Sequence, residues 1–270
     1  MPVPDVKPPS GRSKGDAMES GVNYQAPALD KGLEILEFLA LQSEPHGLAD
    51  LAKALGRSKN ELYRMALVLE RRGYLERTPD DRFLLTNRLF QLGMQTPPIR
   101  NLHDAALPLM HELSQRLEQS CHLAVRSEDD IVIVARVESP GLLGFAVRVG
   151  YRRHVADAAS GSVLFGFAPE GARKAWSPAL KRSAPRSVNF EGFLHSAEEA
   201  RARGYAMVES SSVAAIVDIA APIFDGVEPA PVAVLTIPFL TRREEPAGAE
   251  AAAQAVVQAA QLITQKLQHG

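Results

Sequence analysis

Lys59, Asn60, Tyr63 and Arg64 stand at i, i+1, i+4 and i+5 of one stretch, a spacing that puts all four on one side of a helix. Two cations, an amide and a phenol are the donors that meet phosphate oxygens and base edges. Ser58 precedes them as an N-cap with Glu61 three residues on, a capping box, and the amides of the first turn favour a phosphate. Arg77 and Arg82 flank Thr78-Pro79-Asp80-Asp81, a turn sequence between two strand-like runs, and carry the same chemistry to the tip of a hairpin. Residues 57–72 hold five Lys and Arg against two Asp and Glu, whereas residues 28–95 hold ten of each, so the positive charge is concentrated where phosphates would lie. The pattern points to double-stranded DNA as a partner.

These side chains need a scaffold, and the flanking residues describe one. Leu48, Leu51, Ala52 and Leu55 repeat at helical spacing and stop at Gly56, where a left-handed turn ends the helix. Leu62, Met65, Ala66 and Leu69 form the inner face of the next helix, and the runs at 73–77 and 82–85 follow as a two-stranded wing. This is a winged helix-turn-helix over residues 26–95, whose second helix enters a major groove.

A second set of polar residues lies downstream. Ser160, Ser162, His154, His195 and Asp218 are types that a hydrolase uses, but Ala158 stands where a nucleophile elbow requires glycine, so an enzyme is the weaker reading. No metal cluster or phosphate-binding glycine loop occurs, and no cofactor is expected. Strand-like runs at 122–126, 131–138, 143–149, 205–209, 216–222 and 231–238 alternate with helical stretches at 161–167, 169–176 and 196–203, and 247–268 closes the chain as an amphipathic helix. The expectation is an α+β domain over 119–270 with a mainly antiparallel sheet. Before it, 96–118 reads as a linker helix with Leu102, Ala106, Leu109, Leu113 and Leu117 on one face. That stripe can pair with a twin. Residues 1–25, rich in Pro, Ser, Gly and charge, read as a disordered leader without the apolar run of a signal peptide. With 270 residues, a single cysteine and no membrane-length apolar run, the chain is expected in a reducing cytoplasm, away from membranes.

The order of these motifs resembles the IclR family of bacterial transcriptional regulators over residues 26–242. The resemblance is carried by Ala28 to Glu37, by Arg64 through Gly73-Tyr74-Leu75, by Val149-Gly150-Tyr151-Arg152 leading to Ala158-Ala159-Ser160-Gly161, by Arg203-Gly204-Tyr205 and by Ile216 to Ile223. It implies a homodimer or dimer of dimers, a GAF-like second domain and a small-molecule effector held on one face of its sheet. By position the pocket falls on Ala159, Ser160 and Gly161, on Asp218, and on Thr236 and Pro238. This chain departs from the family pattern there: Asp218 replaces a frequent cysteine, Thr236 and Pro238 replace two serines, and Ala156 and Ser162 replace a histidine and a lysine.

A carboxylate on a face lined by Phe145, Val147, Ile216 and Leu235 needs a donor. A ligand hydroxyl or amine can supply it; so can Arg148, Arg152 or His154 in a structural bridge. With fewer hydroxyls than its relatives, the pocket leans toward an aromatic or organic-acid effector. His122 falls on the side of Ala124, either in the pocket or as a satisfied core residue. A DNA-binding protein that senses no ligand remains the other alternative; a dry, filled second core would mark it.

Overall fold

The computed structural model describes residues 26–269 except 143, 211, 212, 214 and 242–247, so the leader lies outside the described residues. The chain divides into two compact units, one ending at Leu92 and the other starting at Gly93.

In the first unit α1 (Pro27–Ala40) starts with proline at its first position, where the missing N–H has no role. A short strand β1 (His46–Gly47) leads into α2 (Leu48–Leu55), which ends at Gly56 with φ 63°. The left-handed cap then turns the chain into α3 (Lys59–Arg71), whose start is fixed by Ser58: its Oγ accepts from the Glu61 N–H, and the Glu61 carboxylate accepts from the Ser58 N–H. β2 (Leu75–Arg77) and β3 (Arg82–Leu85) form the wing, and β1 adds to β3 as a third strand. Ile35, Leu39, Leu51, Leu62, Ala66, Leu75 and Phe83 close the core behind it. α4 (Arg88–Gln95) follows.

The second unit opens with α5 (Pro97–Leu117), which absorbs Pro108 internally. This helix, read from sequence as a linker, is a packed part of the second unit. Leu102, Ala106, Leu109, Met110, Leu113 and Leu117 bury against the sheet and against α9 (Ala249–His269). The strands are β4 (Cys121–Ser127), β5 (Asp130–Val137), β6 (Arg152–His154), β7 (Ala206–Glu209), β8 (Ile216–Ile223) and β9 (Ala233–Leu240), all antiparallel in the order β6-β5-β4-β9-β8-β7. α6 (Ala159–Gly166), α7 (Glu170–Ser183) and α8 (Phe190–Arg203) cover the other face.

Strand alternation assigns each residue to a face. Cys121, Leu123, Ile219, Ala221, Leu235 and Ile237 point into the layer under α5 and α9, whereas Ala124, Ala206, Ala220 and Val234 point toward α6 and α8. Leu235 is therefore not a neighbour of the Asp218 face, contrary to the sequence expectation, because it stands one residue out of phase with Thr236.

The expected strand at 143–149 is not formed: 144–148 run without strand pairing, and residue 143 is outside the described residues. β5 pairs instead with Arg152–His154, after Gly150 takes φ 82° and donates to the Ile133 carbonyl at 2.7 Å. Alternating apolar residues such as Phe145 and Val147 favour a strand locally, but pairing is a tertiary outcome. Here the sheet edge is already taken.

Candidate functional site

On α3 the sequence-predicted contacts sit together. Lys59, Asn60, Tyr63 and Arg64 are all exposed on the first two turns, and among the described residues no ion pair holds them. Four other cations of the unit are committed. Arg57 forks onto Glu34 at 2.7 and 3.1 Å, and Lys31 reaches Glu61 at 2.7 Å, which with the Ser58 bonds holds that carboxyl down at about 2. Arg77 bonds Glu70 at 2.8 Å and Asp81 at 2.9 Å and lies 5.0 Å over the Phe83 ring, so it braces the wing from within. Arg82 pairs with Asp80 at 2.8 Å at the tip. The helix thus presents unpaired donors, while the two wing arginines already have partners.

In the second unit, strand register brings His122, Asp218, Thr236 and Pro238 to one face of the sheet. His122 lies opposite Thr236, Thr236 opposite Ala220, and Asp218 opposite both Pro238 and Val208. Cys121, one residue away, points to the opposite layer, where its Sγ donates to the Met110 carbonyl and burial pushes its thiol up to about 12. The polar residues of the α6 face are poorly satisfied. Thr236 is 3% exposed, and among the described residues its Oγ1 has no hydrogen-bond partner. His122 is 6% exposed, and burial pulls its imidazole down to about 4, leaving it neutral. Asp218 is pushed up to about 6 by burial, eased by the positive charge of Arg153.

None of the cations considered from sequence bridges Asp218. Arg152 pairs with Asp130, His154 bonds Ser183, and Arg153, which sequence reasoning did not single out, bonds Asp157 at 3.0 Å. Arg153 sits on a three-residue edge strand, too short to leave a readable alternation.

α6 lies across the same face. Ala159, Ser160 and Gly161 open it and are all buried. Its N-cap, Ala158, has no side-chain oxygen, so no side chain caps the amides of the first turn. Gly161 is required by close approach: a Cβ there would lie 1.8 Å from the Val155 carbonyl oxygen. Phe145 and Val147 are half-buried in the unpaired segment, with Val147 packed on the same apolar cluster as α6. Two clefts elsewhere, about 180 Å³ between α5 and α9 and about 530 Å³ beside α2, touch none of these residues.

The remaining Ser, His and Asp cluster does not form a catalytic array. His154 Nδ1 accepts from the Ala156 N–H at 3.2 Å, so the ring proton belongs on Nε2, which faces Ser183 Oγ at 3.1 Å. Ser183 lies 2.6 Å from Asp129, which also takes the Trp176 indole N–H at 2.8 Å. A nucleophile needs a base that accepts its proton; here the imidazole donates. Among the described residues no group of three or more His, Cys, Asp and Glu could hold a metal, and no helix is long and apolar enough to cross a membrane.

A winged helix-turn-helix and a helix-covered antiparallel sheet in one chain define a DNA-binding transcriptional regulator with a second, GAF-like domain. The chain matches the family described as IclR helix-turn-helix domain over residues 28–79 and that described as Bacterial transcriptional regulator IclR C-terminal over residues 98–265. It belongs to the IclR family. It is 29% identical over 202 residues to the glycerol operon regulatory protein of Streptomyces coelicolor, covering 73% of this chain and 79% of that protein. It is also 29% identical over 203 residues to the transcriptional regulator KdgR of Escherichia coli, covering 73% and 76%. The crystal structure of Thermotoga maritima IclR aligns with TM-score 0.69 and 25% identity over 89% of this chain and 98% of that one. An IclR homolog from Microbacterium hydrocarbonoxydans, crystallised with 4-hydroxybenzoate, shares the fold with TM-score 0.77 and 22% identity over 90% and 100%.

Proposed function

We propose that this regulator binds operator DNA through Lys59, Asn60, Tyr63 and Arg64, and changes that binding when a small aromatic or organic acid occupies the α6 face of the second unit's sheet. It acts as a homodimer or a dimer of dimers, in keeping with two-fold operators. The observation that carries the sensing half is the buried Thr236 hydroxyl, without a partner beside the buried His122. A dry, filled core would not keep such a group, because a buried hydroxyl with no hydrogen bond is costly. The side-chain-free cap of α6 faces the acid end of a ligand, since a helix N-terminus favours negative charge. No redox group or metal is called for.

The test is fluorescence anisotropy of the full chain on DNA from upstream of its own gene, titrated with a panel of small carboxylates that includes 4-hydroxybenzoate. At least one should shift operator affinity, and Thr236→Val should change the concentration needed while leaving unliganded DNA binding within about twofold. An unchanged ligand response in Thr236→Val, or unliganded affinity lost with it, would count against the sheet face as the sensor.

A further inference from the structure

We propose that the effector carries, besides its acid group, a hydrogen-bond donor of its own, a hydroxyl or an ammonium, and that Asp218 selects for it. This rests on the α6 face of the sheet being the effector site. The first turn of α6 offers backbone donors, which suit an acid. Asp218, on the sheet face that α6 covers, is of opposite character.

An ionised carboxylate only accepts hydrogen bonds. Nothing nearby donates to it: its two cross-strand neighbours are Pro238 and Val208, α6 has no titratable side chain, and no hydrogen bond or ion pair reaches Asp218 among the described residues. Arg153 on β6 acts on it through charge at a distance while bonded to Asp157, and on β4 His122 is neutral. Neutral histidine and threonine can each both donate and accept, so neither determines which kind of ligand group is welcome. Asp218 does. A face that offers helix-start amides and a lone carboxylate is complementary to a molecule that carries both an acid and a donor. An acid without the donor would leave the carboxylate desolvated and unpaired, which is how a site built for a hydrogen bond rejects an analogue that lacks it.

The experiment uses the full chain at pH 8 and two matched series of probes: benzoate, 4-hydroxybenzoate and 4-(aminomethyl)benzoate; butyrate, 4-hydroxybutyrate and 4-aminobutyrate. The two series cover two spans between acid and donor. NMR of the His122 ring, assigned with His122→Gln, reports where a probe binds, and titration gives its Kd. In at least one series a donor-bearing member should bind on the order of tenfold or more tighter than its parent. Asp218→Leu should erase that preference, and Asp218→Asn should cut it more for ammonium than for hydroxyl, because an amide oxygen still accepts a hydrogen bond but carries no charge to meet a cation. Whichever arm wins identifies the donor.

Parents that move the His122 signal and bind as tightly as their donor-bearing partners would overturn the donor inference and leave the effector site standing. A preference that survives in Asp218→Leu would overturn it too. If none of the six probes moves the His122 signal, the sheet face is not the sensor and both proposals fall. Thr236→Val serves as the control, since it should weaken donor and parent alike.

Discussion

Asp218→Asn should make the unliganded protein more stable, although it removes a residue assigned to ligand recognition. Burial pushes the Asp218 carboxyl from 3.8 to about 6, a little over two pH units, and each unit corresponds to about 1.4 kcal/mol between the two protonation states. The ceiling is therefore about 3 kcal/mol at pH 8. Asp218 is only half-buried, so solvent screens part of that, and the new amide adds donors without acceptors. The net expectation is about 1–2 kcal/mol, or roughly 2–8 °C in Tm for a domain of this size.

The sign fixes the pH window. The folded pKa of an acid is raised here, so the native state binds the proton more tightly than the unfolded chain, and the destabilisation grows from about pH 4 to pH 6 and then stays constant. The variant's advantage should be full at pH 8, about half at pH 5 and nearly gone at pH 4. His122, pulled down to about 4, weakens both proteins alike as pH falls below its unfolded value and cancels in the difference. Urea melts of both proteins at the three pH values measure it. A variant less stable than wild type at pH 8, or an advantage that does not shrink with acid, would refute the account of Asp218 as a desolvated, unpaired carboxylate.

Arg64→Ala should cost about 1–3 kcal/mol at the cognate operator, and Lys59→Ala should weaken all sequences alike, as anisotropy would read. Arg57→Ala, which removes a fork already closed on Glu34, should leave the operator's sequence preference unchanged; a loss of preference equal to that of Arg64→Ala would contradict the assignment. Gly161→Ala drives a methyl into the Val155 carbonyl and should destabilise the second unit by at least about 2 kcal/mol in urea melts. Light scattering should give a particle of at least twice 29.2 kDa at micromolar concentration, and a monomer there would remove the dimer from the proposed function.

The helix proposed to read DNA was legible because local chemistry sets its limits. Ser58 and Glu61 make the capping box their spacing announces, and Gly56 takes the left-handed turn that ends α2. Whether His122 and Asp218 share a face with Thr236 was open in sequence, since a lone histidine in a strand or a carboxylate near basic residues fits other roles; the strand register settles that they do. What sequence also left open was pairing. Arg152 and His154 were as plausible partners for Asp218 as any ligand until their side chains were found on Asp130 and Ser183. Arg77 offered the same guanidinium to solvent as Arg64 on paper, but the wing folds Glu70 and Asp81 around it. The segment 144–148 has strand-like alternation, yet the turn at Gly150, whose N–H bonds the Ile133 carbonyl, delivers Arg152–His154 to the sheet edge instead.

In β4, β8 and β9 the odd-numbered residues, from Cys121 and Leu123 to Ile219 and Ile237, build the layer under α5 and α9, while the even-numbered 122, 218, 236 and 238 face α6. Neighbouring codons thus have separate duties. Under the proposed function, a lineage, or an engineer, can redraw what the protein senses by point substitution at these four positions without rebuilding the layer on which the fold depends. The same arrangement is intolerant of a different kind of change. Inserting or deleting one residue within any of these strands exchanges the two sets, turning greasy side chains toward α6 and polar ones into the opposite layer at once. Sensory diversification in such a scaffold proceeds by substitution, with length changes confined to the turns.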